Sequence, residues 1–277
     1  MTGIYDEPKI DCHNHVFDPA RFPYIADAIY RPAGQEIGTA DQLLRVLDAY
    51  GVRCALVVGP TSGYAADSRC LLDAIARSDG RCKGVAVVPL DAGRVELERL
   101  KAAGVVGIAV IPALNGLAYY ADAAGLFRQA AALDLFVQVQ TEGDQLASLA
   151  PMLEASGARI LIDHCGRPTP EAGLDQAGFR TLLGLARSGR AFVKLSGQMR
   201  FSRESYPFAD TRPYLRALIE AFTPDACMWG SDWPFLRATE RIDYGPLLKL
   251  VEALLPDAAE RRRVLWDTPR RHFGFGT

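Results

Sequence analysis

The sequence contains no apolar run approaching the roughly 18 residues that a membrane-crossing helix needs, so no membrane partner is expected. It has no excess of either charge: 31 basic against 33 acidic residues leave a formal charge of −2. That balance gives no footprint for nucleic acid or an anionic lipid surface. Cysteine is sparse, with Cys12, Cys54, Cys70, Cys82, Cys165 and Cys227 scattered and no Cys-x-x-Cys pair among them. Most fall in apolar, strand-like runs, where cysteine behaves as a small hydrophobe, and a disulfide framework is not expected. A reducing, cytoplasmic setting follows. Met1 to Ile10 carries Asp6, Glu7 and Pro8 in place of a charged start and apolar middle, so no secretory signal is expected. No Gly-x-Gly-x-x-Gly follows a strand, which leaves dinucleotide binding without support. Histidine is the scarcest chemically versatile residue, at four in 277.

Two of those four stand together in Lys9-Ile10-Asp11-Cys12-His13-Asn14-His15. Apolar Ile10 and Cys12 alternate with Asp11 and His13, the pattern of a short strand, and residues two apart share a face. His13 and His15 therefore converge on one point at the strand's C-terminal end.

A hydrophobic content of 49% with 23% charged suits a soluble chain with a substantial core. A repeating unit fills the rest. Thr39 and Gln42 form a capping box before a helix closed by Gly51, and Val52 to Gly59 reads as a strand covered on both faces. Further strands are expected at Val85–Val88, Val105–Ile111, Leu135–Val139, Ala158–Ile162, Ala191–Leu195 and Cys227–Trp229. Between them lie helical patterns at Asp67–Arg77, Arg94–Ala102, Ala121–Leu133, Gln145–Ala155, Phe179–Arg187 and Pro213–Phe222, with Gly245–Leu255 and Ala258–Arg271 closing the chain. Eight strand–helix units predict a single (β/α)₈ TIM barrel, of class α/β, over 1–277; a doubly wound open sheet is the alternative. The long segments Pro19 to Gly38 and Arg200 to Arg212 are read as loops.

A barrel places its chemistry at the C-terminal ends of its strands. That rule selects His13, His15, Ser62, Gln138, Gln140, His164, Ser196 and Asp232. His272, at the end of the last helix, is expected to be structural.

These motifs carry a resemblance. His13-x-His15, Ile162-Asp163-His164-Cys165-Gly166-Arg167-Pro168, Val193-Lys194-Leu195-Ser196-Gly197 and Trp229-Gly230-Ser231-Asp232-Trp233-Pro234 resemble the amidohydrolase superfamily. More narrowly, the chain is similar to the branch of 2-pyrone-4,6-dicarboxylate hydrolase and the sugar lactonases. Ser62, Tyr64 and Asp67 match the loop after that branch's second strand, and Asp267 to Phe275 its terminal helix. The resemblance implies a (β/α)₈ barrel that hydrolyses an ester-like carbonyl, usually of a lactone.

The residue types suit that reaction. Asp232 can take a proton from the attacking water as general base. His13, His15 and His164 can polarise the carbonyl, or hold a metal that does so. Arg167 and Arg200 can clamp a carboxylate. Ser62, Tyr64 and Trp233 complete the expected substrate contacts, although Trp233 also suits packing at the barrel mouth. Ser196 reads as a hydrogen-bonding residue rather than a nucleophile. The resembled branch works without a metal, and no required cofactor is expected; the alternative is one divalent zinc ion on His13, His15, His164 and Asp232. Strand four ends in Val110, Ile111 and Pro112, and strand five offers Gln138 and Gln140, which argues against a binuclear site. Members acting on the pyrone dicarboxylate carry an arginine where this chain has Ala109, so a less charged lactone is expected. The competing readings are a mononuclear zinc decarboxylase or amide hydrolase of the same superfamily, and a barrel that binds a small molecule without turnover. The expected partner is a small-molecule lactone, and the chain is compatible with a homodimer.

Overall fold

The runs of Val, Ile, Leu and Phe that end in turn residues form eight strands in the computed structural model, which describes residues 3–276. They are β1 (Lys9–Asn14), β2 (Val52–Val58), β3 (Cys82–Val87), β4 (Val105–Val110), β5 (Phe136–Val139), β6 (Arg159–Ile162), β7 (Ala191–Leu195) and β8 (Cys227–Trp229). All pair in parallel and in chain order, β1 through β8. A doubly wound sheet would instead reverse its order midway, so the barrel reading holds and the open sheet is excluded. Met1, Thr2 and Thr277 lie outside the described residues, and with them part of the expected polar start and the ends of the expected unit.

Eight helices cover the outside: α1 (Ala40–Ala49), α2 (Arg69–Arg77), α3 (Arg94–Ala102), α4 (Ala124–Ala132), α5 (Gln145–Ser156), α6 (Ala177–Leu185), α7 (Arg212–Phe222) and α8 (Tyr244–Leu254). The capping box at Thr39 and Gln42 starts α1. Other ends differ from the sequence pattern because partners set them. β3 begins at Cys82, where pairing with Ala55 starts, and α2 begins at Arg69 because the Asp67 carboxylate binds the Arg69 amide and guanidinium. The closing helix is not continuous. It runs from Ala258 to Arg262, widens through a π-turn at Arg263–Asp267, and resumes at Thr268–Phe273. Pro269, which has no N–H to donate back to Leu265, accounts for the break. No helix among the described residues is long and apolar enough to cross a membrane.

The barrel closes between β8 and β1 through a seam rather than a full ladder. Asn14 bridges Trp233, Asp232 N–H donates to the His13 carbonyl at 2.7 Å, and His15 N–H donates to the Trp233 carbonyl at 2.8 Å. The buried Asp11 carboxylate accepts from Ser231 N–H at 2.9 Å, Ser231 Oγ at 2.6 Å and Tyr244 Oη at 3.0 Å. Pairing of β1 with β2 is irregular between Asp11 and Asn14. That irregularity overrides simple alternation: Asp11 turns toward α8 while His13 turns into the barrel. Below, Ile10, Leu56, Phe136, Leu161, Phe192 and Met228 fill the interior, closed at the bottom by Trp266, Phe273 and Phe275. His272 packs there against Phe192, tilted by 55° with ring centroids 4.3 Å apart.

Candidate active site

Three neighbouring strands change from apolar to polar at the same height. Phe136 gives way to Gln138 on β5, Leu161 to Asp163 just beyond β6, and Phe192 to Lys194 on β7, each pair two residues apart and so on one face. The three polar side chains are buried and linked. Lys194 Nζ donates to Gln138 Oε1 at 2.6 Å and pairs with Asp163 Oδ1 at 3.0 Å, while Gln138 Nε2 donates to Asp163 Oδ2 at 2.8 Å. His13 Nδ1 rests on this layer, 3.2 Å from both Asp163 Oδ1 and Lys194 Nζ.

Above it the three histidines meet Asp232. The Nε2 atoms of His15, His13 and His164 lie 3.7, 3.8 and 3.9 Å from Asp232 Oδ1. These separations are too long for direct hydrogen bonds and leave a small space among four polar atoms. Asp232 Oδ2 takes the Arg200 Nε–H at 2.5 Å. Burial works to raise the Asp232 carboxyl, but Arg200 and the surrounding imidazoles outweigh it and hold the group well below the usual range. Asp163 is likewise low, because Lys194 and then His13 overcome its burial. Burial lowers His13 to about 4, against the pull of Asp163, and drives His164 well below its ordinary value. Both rings are therefore neutral near neutral pH.

The backbone is committed to this arrangement. His164, Arg167 and Asp232 hold φ values of 49°, 46° and 64°, each costing about 1–3 kcal/mol in a residue with a side chain. Gly197 and Gly230 supply clearance. A Cβ at Gly197 would stand 2.4 Å from His164 Nδ1, and one at Gly230 would stand 2.6 Å from His13 Cβ.

The space opens into a cavity of about 350 Å³. Ser62, Gln140, Arg167, Arg200 and Arg237 line part of it, and Ala109, Ile111, Ala113 and Leu114 form an apolar wall following β4.

The sequence of the amidohydrolase family (Amidohydro_2) matches residues 10–275, nearly the whole chain. The chain belongs to this family. Among individual amidohydrolases, a 4-sulfomuconolactone hydrolase from Rhizobium radiobacter is 32% identical over 274 residues, covering 95% of this chain and 89% of the relative. A 2-pyrone-4,6-dicarboxylate hydrolase from Comamonas testosteroni is 28% identical over 275 residues, covering 95% and 88%. The crystal structure of a probable 2-pyrone-4,6-dicarboxylic acid hydrolase from Acinetobacter baumannii, with citric acid bound, superposes with a TM-score of 0.87 at 27% identity, over 96% of this chain and 99% of that one.

Within this amidohydrolase, His13, His15, His164 and Asp232 come together as the sequence suggested, and Ser62 and Arg167 line the cavity. Arg200 lines it too, but its guanidinium donates to Asp232 and to the Leu236 carbonyl, which leaves Arg167 and Arg237 as the lining cations not held to a carboxylate at close range. Arg167 pairs only loosely with Glu142, at 3.4 Å, and its buried Nε has no partner. Tyr64 and Trp233 are not among the lining residues. Tyr64 packs between Phe17 and Tyr24 and accepts the Asp18 N–H, and the Trp233 ring occupies the space over Gly38. Ser196 is fully buried behind His164, 3.0 Å from its Nδ1, and is not a lining residue. It orients the ring and has no route to a substrate carbon. The sequence reading passed over Lys194, Asp163 and Arg237, the last stacked on Tyr30 at 4.1 Å.

A divalent ion is the group this family's residue types suggest, and His13, His164 and Asp232 have ligand atoms within 4.8 Å of one another. The surrounding charges do not fit it. Asp232 and Asp163 are already matched by Arg200 and Lys194. An added ion would bring two uncompensated positive charges into a buried site, which is costly.

Proposed function

We propose that this enzyme hydrolyses a lactone that carries one anionic group. The observation that carries the reading is the meeting of three imidazole Nε2 atoms with Asp232 Oδ1 at 3.7–3.9 Å, with His15, His164 and Asp232 lining a cavity that also presents Arg167 and His13 buried just behind them. The named relatives, which hydrolyse sulfomuconolactone and pyrone dicarboxylate, support the same reaction class.

Hydrogen-bond roles divide the four atoms. His15 Nδ1 lies 2.8 Å from the Val58 carbonyl. A carbonyl only accepts, so Nδ1 carries a proton, and in the neutral ring Nε2 is then the bare acceptor. The attacking water thus has two acceptors, His15 Nε2 and Asp232 Oδ1. The buried Ser196 hydroxyl has His164 Nδ1 as its side-chain partner, and donating to it leaves the His164 proton on Nε2. His164 then faces the carbonyl oxygen as a donor. As water attacks the carbonyl carbon, Asp232 takes its proton, and the negative charge gathers on the carbonyl oxygen before His164. The intermediate collapses with cleavage of the ring C–O bond. The leaving alkoxide recovers the proton from Asp232, giving a hydroxy acid.

Arg167, which lines the cavity and pairs only loosely with Glu142, suits a carboxylate or sulfonate of the substrate. The wall of Ala109, Ile111, Ala113 and Leu114 offers nothing to a second charge, which favours a lactone with an uncharged face over a dicarboxylate. All six cysteines are free, which fits a reducing compartment, here taken as the cytoplasm.

A panel of neutral, monoanionic and dianionic lactones in heavy-oxygen water tests this reading. Monoanionic lactones should turn over fastest and place one heavy oxygen in the new carboxylate. Release of carbon dioxide, or binding without turnover across the panel, would overturn it.

A further inference from the structure

Lys194 is a fully buried lysine at the core of the barrel, and neither its burial nor its partners follow from the chemistry above. Its ammonium has three donors, and three acceptors lie around Nζ: Gln138 Oε1 at 2.6 Å, Asp163 Oδ1 at 3.0 Å and His13 Nδ1 at 3.2 Å. His13 Nδ1 has two ways to satisfy this neighbourhood. If it carries the proton, it donates to Asp163 Oδ1, but two N–H groups then face each other across 3.2 Å and one buried ammonium donor is left without an acceptor. If it is bare, its lone pair faces Asp163 Oδ1 across 3.2 Å, but the Lys194 ammonium bridges the two acceptors, every donor of Lys194 is met, and Asp163 still has Lys194 on one oxygen and Gln138 on the other. Burying an unmet donor costs about 1–3 kcal/mol, more for a charged group. The bare Nδ1 is the favoured state.

We propose that Lys194 is a positioning residue that fixes the tautomer of His13, keeping its proton on Nε2. His13 Nε2 is buried without a partner, so its N–H points into the space beside Asp232 and waits for an oxygen. Together with His164, whose ring centroid is 4.3 Å away, it forms a two-donor site for the lactone carbonyl as negative charge develops. The same proton denies Nε2 to a metal, since an ion needs that lone pair. Lys194 thereby selects carbonyl binding over cation binding at this position. This role rests on the lactone-hydrolase reading, but its test is read on the resting protein.

Protein carrying nitrogen-15 histidine, with His13 assigned by loss of its signals in His13→Gln, reports the protonated ring nitrogen directly. Wild-type His13 should show a protonated Nε2 and a bare Nδ1. In Lys194→Met the proton should move to Nδ1, where Asp163 accepts it. With it kcat should fall about 10²-fold or more, the usual loss of one oxyanion donor, while KM stays nearly unchanged. Lys194→Met combined with Asp163→Asn removes both charges, guards against unfolding from an unpaired carboxylate, and should also lose the Nε2 preference. Equilibration with zinc should leave the wild type unloaded and load Lys194→Met. A wild-type His13 protonated at Nδ1, or a tautomer unchanged by removing Lys194, would overturn the proposal. Absence of lactone turnover would instead strike at the reaction, leaving the tautomer result standing.

Discussion

Two arginines that look equivalent in the sequence divide into different tasks once their neighbours are known. Arg200 is locked onto Asp232 and keeps that carboxylate ionised. Ionisation readies it to accept a proton, while the depressed value makes it a weak base. Arg167 lines the cavity and is paired only loosely, with Glu142 at 3.4 Å. A charged hydrogen bond is worth about 1.5–3 kcal/mol, roughly one to two factors of ten in affinity. Arg167→Gln should therefore raise KM for a monoanionic lactone by about 10- to 100-fold and leave kcat and the handling of a neutral lactone nearly unchanged. Steady-state kinetics on the matched pair checks this. Equal effects on both lactones would place Arg167 outside the anion's reach.

At the level of strands, the chain announced most of its plan. Eight apolar runs ended in turn residues, and taking their C-terminal ends as the chemical face picked out His13, His15, His164 and Asp232 without any structure. Lys194 and Asp163 are legible by the rule that selects Gln138, although the reading of strand ends left them out, and all three sit at one height. Each stands two residues beyond an interior aromatic or leucine, Phe192, Leu161 or Phe136, so parity alone assigns it to the inside. Parity fails on β1, where the irregular pairing between Asp11 and Asn14 separates two residues that strict alternation would put on one face. Tyr64 and Trp233 illustrate a different limit. Both follow strand ends in sequence, but whether an aromatic faces the cavity or packs behind it depends on distant partners, here Phe17, Tyr24 and Gly38.

For the molecule as a whole, buried neutral imidazoles link stability to pH. Burial lowers His13 and His272 to about 4 and holds His164 well below its ordinary value, whereas each titrates near about 6.5 in an unfolded chain. The unfolded state thus binds protons the folded state refuses, so stability is complete above about pH 6.5 and falls as pH drops toward about 4. Asp163 and Asp232 are depressed instead, so their contribution is lost only on acidification below the usual carboxylate value of about 3.9. The urea midpoint should fall between about pH 7 and about pH 4.5, and His272→Phe, which keeps an aromatic ring packed against Phe192 without a titrating group, should lessen that fall. A midpoint equally pH-dependent in both proteins would remove His272 from the effect.

The fold, the seam and the polar layer all converge on one carboxylate oxygen facing three imidazoles. Turnover of the best lactone by Asp232→Asn, compared with wild type at matched folding by circular dichroism, tests that arrangement most directly. The carboxamide keeps the shape and can no longer take a proton from water, so kcat should drop by about 10²- to 10⁴-fold. Undiminished turnover in the folded variant would contradict Asp232 as the base.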